Sequence, residues 1–198
     1  MADEKIRAGL PVRLFADQAA FEAWLRAQPS DSAGLWLRLA KKGGELASTL
    51  TKAQAVDVAL CHGWIDGQLD GYDEASWLVR FTPRRARSKW SAANTRRAAE
   101  LAAAGRIRAA GQAEIDAAQA DGRWKAAYSS QGSATVPEDL RVALAANPEA
   151  AAFFARLTGA NRYAILYRIG AVKRAETRAR KIADYVAMCA RGEVLHPK

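Results

Sequence analysis

Leu50 to Gln68 reads LTKAQAVDVALCHGWIDGQ, and the way this stretch divides sets the architecture of the whole chain. Thr51 stands where a helix N-cap accepts a backbone amide, and Ala55, Val58 and Ala59 recur at the spacing of one buried helical face, with Val56 beside them. The helix must stop near Cys61-His62-Gly63, because glycine in that place supplies the left-handed backbone a helix end favours. Beyond it, Gly63 and Gly67 bracket Trp64-Ile65-Asp66, and the sequence predicts a tight corner there.

Working outward, the pattern Ala20, Phe21, Trp24, Leu25 predicts an amphipathic helix capped by Asp17 and closed by Pro29. The apolar run from Gly34 to Ala40 predicts a strand that ends at Lys41-Lys42-Gly43-Gly44. Ser76 to Phe81 predicts a second short strand, stopped by Pro83. Residues 1–11 are charged and small, and the first few are expected to be poorly ordered. Past the basic loop TPRRARSK at 82–89, helices are expected from near Ser88 or Trp90 to Gly105 and from Arg108 to Ala120.

SSQGSAT at 129–135 has linker composition, and everything after it reads as helix. Pro137 and Pro148 stand at first helical positions, the latter behind an Asn147 cap. Tyr163 to Val172 predicts a buried helix, and the last helix repeats Ala175, Ala179, Ile182, Val186 and Cys189 before Gly192. The expected fold class is therefore α+β, with a small N-terminal sheet and helices followed by a mainly helical C-terminal half. Expected domains are 12–128 and 136–193.

With 198 residues, half of them hydrophobic, the chain can bury a substantial core. No apolar run is long enough to span a bilayer, and MADEKIRAGL lacks the apolar segment of a signal peptide, so the expected location is cytoplasmic. Two cysteines without a paired spacing argue against a disulfide framework or a structural zinc site, and no cofactor or metal is implied.

The net charge of +9 is concentrated. Acids outnumber bases up to Val79, whereas the window from Arg80 to Arg108 holds nine bases against Glu100 alone. A second excess follows at Arg168, Lys173, Arg174, Arg178, Arg180 and Lys181. A localised cation invites an anionic ligand.

Three site readings follow. The first places an anion between the corner and the basic loop, using Trp64, Asp66, Arg80, Arg84, Arg85, Arg87 and Trp90, with backbone amides near Ser88 as a further acceptor of negative charge. The second is a small enzyme using Asp66 with His62 or Cys61, since a nucleophile needs an adjacent base and the base an orienting carboxylate. Against it, Cys61 suits core packing, His62 a helix C-terminus and Asp66 a turn. The third is single-stranded nucleic acid, with Trp64, Trp77 and Trp90 as stacking platforms among the arginines, although large aromatics in a small α+β unit are more often core. An anionic small molecule is the expected partner and nucleic acid the less favoured one.

The strings GLWLRLAKKG at 34–43, ALCHGWIDGQ at 59–68 and FTPRRARSKWSAAN at 81–94, with NRYAILYRI and ETRARKIADYVAM near the C-terminus, resemble the YdeI/OmpD-associated family, also described as bacteriocin-protection proteins. The resemblance implies a cytosolic bacterial protein with a role in tolerance to antimicrobial peptides or envelope stress.

Overall fold

The computed structural model describes residues 5–129, 132, 134–157 and 159–197; residues 1–4, and Ser130, Gln131 and Ser133 of the expected linker, lie outside the described residues. The chain forms two compact units, one running to Trp90 and resuming over Asn94–Ala127, the other made of Ser91–Ala93 and the chain from Tyr128 onward. Strands are confined to the first unit, and the fold is α+β.

The first unit is built on a five-stranded sheet in the order β1-β2-β3-β5-β4. Its strands are β1 (Ile6–Arg7), β2 (Leu10–Arg13), β3 (Leu35–Ala40), β4 (Trp64–Gly71) and β5 (Ser76–Pro83). β3 explains why GLWLRLA reads as one unbroken apolar run. Its odd residues Leu35, Leu37 and Leu39 face a core built with Phe21 and Leu25 of α1 (Gln18–Arg26) and with Ala55, Val58 and Ala59 of α2 (Lys52–Cys61). Trp36 points the other way and joins Leu10 and Leu78 in a separate cluster, so both faces of the strand are covered.

The caps read from the sequence are formed. Asp17 Oδ1 accepts from Ala20 N at 2.8 Å, and Thr51 and Gln54 make a reciprocal capping box, each such cap contributing about 1 kcal/mol. Helix α3 (Ala92–Ala103) from Asn94 onward and α4 (Ala109–Ala120) complete this unit, where Ala98, Leu101, Ile115 and Ala118 pack with Leu60, Cys61 and Trp90.

Two stretches differ from the sequence reading. The residues expected to form a corner continue as β4, an eight-residue strand antiparallel to β5 with a bulge between Asp66 and Leu69. Glycines and aspartates gave it a turn's composition, and an edge strand with a bulge tolerates that composition. Ile6 to Arg13, to which the sequence reading assigned no element, form β1 and β2, joined through Ala8 (φ 47°) and Gly9 (φ 76°), the left-handed pair of a two-residue hairpin turn. β2 then runs parallel to β3.

The second unit packs α5 (Glu138–Ala145), α6 (Pro148–Arg156), α7 (Gly159–Gly170) and α8 (Ala175–Ala190) around Leu140, Phe154, Ile165, Ile169, Ile182, Tyr185 and Cys189. Asn147 Oδ1 caps α6 at 3.0 Å with Pro148 in its first turn, as the sequence predicts, whereas Pro137 is the N-cap of α5 rather than its first residue. On α8 the buried residues are Ile182, Tyr185 and Cys189, while Ala175 and Ala179 are exposed.

Candidate functional site

The end of α2 and the start of β5's outgoing loop are tied together by backbone alone. Gly63 takes φ +75°, and its carbonyl accepts from Arg84 N at 2.9 Å. One residue on, Trp64 of β4 pairs with Pro83 of β5. These contacts join the glycine-bracketed tryptophan to the TPRR segment, and α4 closes against the same place. Arg108 N donates to Cys61 O at 2.9 Å, a Cβ on Gly63 would meet Ala110 O at 2.9 Å, and one on Gly111 would meet Cys61 O at 2.4 Å. Only glycine permits backbones this close.

The result is a cleft of about 710 Å³ within the first unit. Leu25, Arg26, Gln28 and Ser30 form one wall, His62, Gly63, Trp64, Pro83 and Arg84 another, and Arg108, Ala109, Ala110 and Glu114 the third. Arg84 is 6 % exposed and lies 3.5 Å from the Trp90 ring centroid, while its Nη1 donates to Lys89 O at 3.3 Å. A guanidinium stacked on an indole away from water is held by about 2 kcal/mol, which fixes its charge in place. Arg108 is the N-cap of α4 and makes no side-chain cap, so the helix presents its first turn of amides, the positive end of its dipole, without a side-chain acceptor from that residue.

Glu22 of α1 organises the neighbouring charges. Its Oε1 accepts from Arg108 Nη2 at 3.2 Å and lies 3.5 Å from His62 Nε2 and 3.7 Å from Arg26 Nη2. Burial pushes this carboxyl up, but hydrogen bonds from Arg108 and His62 outweigh it and hold Glu22 below the usual carboxylate value. Lined by three arginines and one glutamate, with a carboxylate shared behind them, the cleft keeps a positive balance.

The residues singled out from sequence are distributed as follows. Trp64 and Arg84 line the cleft, Trp64 only 5 % exposed and packed edge-on against Trp24. Trp90 lies beneath Arg84 in the core, 4.9 Å from Trp124 between ring centroids. Asp66 pairs instead with Lys52 at 3.4 Å. Arg80 sits opposite Trp36 on the sheet face away from α1 and α2, with its Nε sealed from solvent. Arg85 and Arg87 are exposed on the loop, where Ser88 Oγ accepts from Arg85 N at 2.9 Å; the following helix begins at Ala92, two residues beyond Trp90, the later of the two expected starts. Elsewhere in the basic window, Arg97 is bound by Asp57 at 2.6 Å.

Cys61, His62 and Asp66 turn to three different partners. Cys61 is 3 % exposed among Leu60, Trp90 and Leu101, and burial pushes its thiol up, away from the thiolate a nucleophile needs. His62 caps α2 and faces Glu22. Among the described residues, His, Cys, Asp and Glu form no group of three or more that could hold a metal ion.

Sequence reasoning passed over Arg26, Glu22, Arg108 and Glu114 as site residues. Arg108 is the expected first residue of the helix over 108–120, and the structure makes it the N-cap instead, where an arginine side chain cannot accept from the first amides. A groove of about 640 Å³ between α5 and α8 of the second unit is lined by alanines, Ile182 and Val186, and its charged pair, Arg178 with Asp139, is already closed on itself. Convergent polar groups distinguish the cleft of the first unit from that groove.

A family model described as a domain of unknown function (DUF8412) matches residues 13–114, just over half of the chain. A second, described as "Bacteriocin-protection, YdeI or OmpD-Associated", matches residues 133–192. No curated protein and no solved structure matches. Among the described residues, no helix is long and apolar enough to cross a membrane.

Proposed function

We propose, on the footing that the chain belongs to the DUF8412 family and carries a C-terminal domain of the bacteriocin-protection, YdeI or OmpD-associated family, that it is a cytoplasmic binding protein acting in stress or antimicrobial-peptide tolerance through an anion-accepting cleft. One observation carries the reading. Arg26, Arg84 and Arg108 converge on a single cleft beside the start of α4, at the place where the GWIDG and TPRR segments are joined through Gly63 and Arg84. Guanidinium groups and helix-terminal amides are the donors that carboxylates and phosphates take.

In this reading Arg84 is the fixed charge and Arg108 the mobile one. Trp64 supports the wall, Trp90 holds Arg84, and Asp66 and Arg80 act through the strands rather than by contact. Arg85 and Arg87 add long-range attraction, which salt screens.

Thermal melts with inorganic phosphate, nucleotides and short oligonucleotides test the proposal. A rise in melting temperature that saturates with a small anion, and that Arg108→Ala weakens, is expected. No shift with any of the three removes the anion site. Tighter binding of oligonucleotides with a steep salt dependence replaces it with a nucleic-acid site. The protective role has its own test, the survival of cells lacking the protein when challenged with a cationic antimicrobial peptide.

A further inference from the structure

Glu114 is an acid among the arginines lining the cleft, and one of its oxygens is left without a hydrogen-bond partner. It projects from α4 beside Gly63, its Cγ 3.3 Å from where a Cβ on Gly63 would stand. Its Oε2 is sealed from solvent and has no hydrogen-bond partner. An ionised carboxylate whose inner oxygen receives nothing from the protein is costly to hold, and a donor arriving from the cleft would offset that cost.

The arginines are arranged differently. Arg108 stands at the start of the same helix, six residues earlier, a rise of about 9 Å along the axis. Side chains on a helix lean back toward its start, which shortens the gap. Cationic and anionic groups therefore line one cavity.

We infer that the cleft takes a ligand with two unlike ends, a carboxylate or phosphate held by Arg108 and the first turn of α4, with the buried charge of Arg84 behind them, and a protonated amine held by Glu114. The class is that of amino acids, short peptides and other amine-bearing anions. The inference rests on the reading of the cleft as an anion site and adds its polarity. A cleft of cations alone would prefer the more negative of two otherwise matched ligands. Glu114 reverses that preference.

Glutarate and γ-aminobutyrate share one carboxylate and the same methylene spacer, and differ only in whether the far end is a carboxylate or an ammonium. Amide NMR titration of the whole protein with each is expected to give about tenfold tighter binding of γ-aminobutyrate, the scale of one charge-assisted hydrogen bond. Glu114→Gln is expected to abolish or invert the preference, and Glu114→Asp, which keeps the charge, to retain part of it. Equal binding of the two by the wild type, or tighter binding of glutarate, overturns this inference and leaves the anion site standing. A preference that survives in Glu114→Gln overturns the role of Glu114. Binding of neither ligand, nor of phosphate, overturns both readings.

Discussion

Two groups of arginines, one in each unit, are used in opposite ways. In the helical unit Arg141 pairs with Glu138, Arg191 with Glu193, and Arg178 with Asp139, Arg178 also donating to Ile169 O at the end of α7. In the sheet unit Arg26, Arg108 and His62 all converge on the single carboxylate of Glu22. One-to-one pairing leaves no charge over within those three pairs, and in the Arg178–Asp139 pair it ties α8 to α5. Three cationic or protonatable groups around one acid leave charge unspent, and the excess faces a cavity. Arg108 and Arg178 both come from basic stretches of the sequence, so the count of bases is a poor guide to a binding site.

The largest effect expected from breaking this contrast is steric. Gly111→Val forces a side chain into the 2.4 Å gap to Cys61 O, so α4 and its arginine must move. A loss of about 3 kcal/mol or more in urea unfolding is expected, with anion binding lost alongside stability. Charge reversal comes next. Arg108→Glu is expected to weaken anion binding more than tenfold in the titration, about 1.4 kcal/mol or more, with little loss of stability, because the residue is mostly exposed. Arg178→Ala should do the reverse, lowering stability by about 1 kcal/mol and leaving anion binding unchanged. If both variants behave alike, the contrast between the units is wrong.

The smallest effect is the dependence on pH. Asp139 is held below the ordinary carboxylate value by its hydrogen bond from Arg178, against a smaller opposing push from burial. In Glu22 burial pushes hardest, and Arg108 and His62 together overcome it. A carboxyl whose value is depressed on folding contributes stability that is full above its unfolded value, about 4.3 for Glu and 3.9 for Asp, and lost as pH falls through the lower folded value. Urea midpoints are therefore expected to fall below about pH 4. Arg178→Ala should flatten the part owed to Asp139, and Arg108→Ala the part owed to Glu22.

Much of the framework was legible in the chain. Asp17, Thr51 and Asn147 announced their helices because a cap is a local hydrogen bond between near neighbours. β3 was legible because both its faces are buried, which leaves an apolar run with little interruption. β4 was not, because its pairing with β5 is made across a bulge, and Gly67, Asp70 and Gly71 speak for a turn to any reader of local composition. The first hairpin was hidden in the same way, its short strands carrying Arg7, Pro11 and Arg13.

The site was legible in part. Gly63 and Arg84 stood out by composition and do meet. Glu22 and Arg26 belong to α1, Arg108 and Glu114 to α4, and nothing local in either helix says that they share a cavity with His62. Proximity between distant segments is a property of the fold, and a single sequence carries no record of it.

The near contact of α4 with the end of α2 has a consequence for how this cleft can change over generations. With main chain against main chain at Gly63 and Gly111, those two positions have no room for a side chain, and a substitution at either alters the fold before it alters selectivity. Variation in what the cleft accepts is thereby channelled to its lining side chains, among which Arg26, Gln28 and Ser30 lie outside the core and can be replaced one at a time. A library randomised at those three positions alone should yield folded proteins with shifted ligand preference, and one randomised at the two glycines should yield mostly insoluble chains.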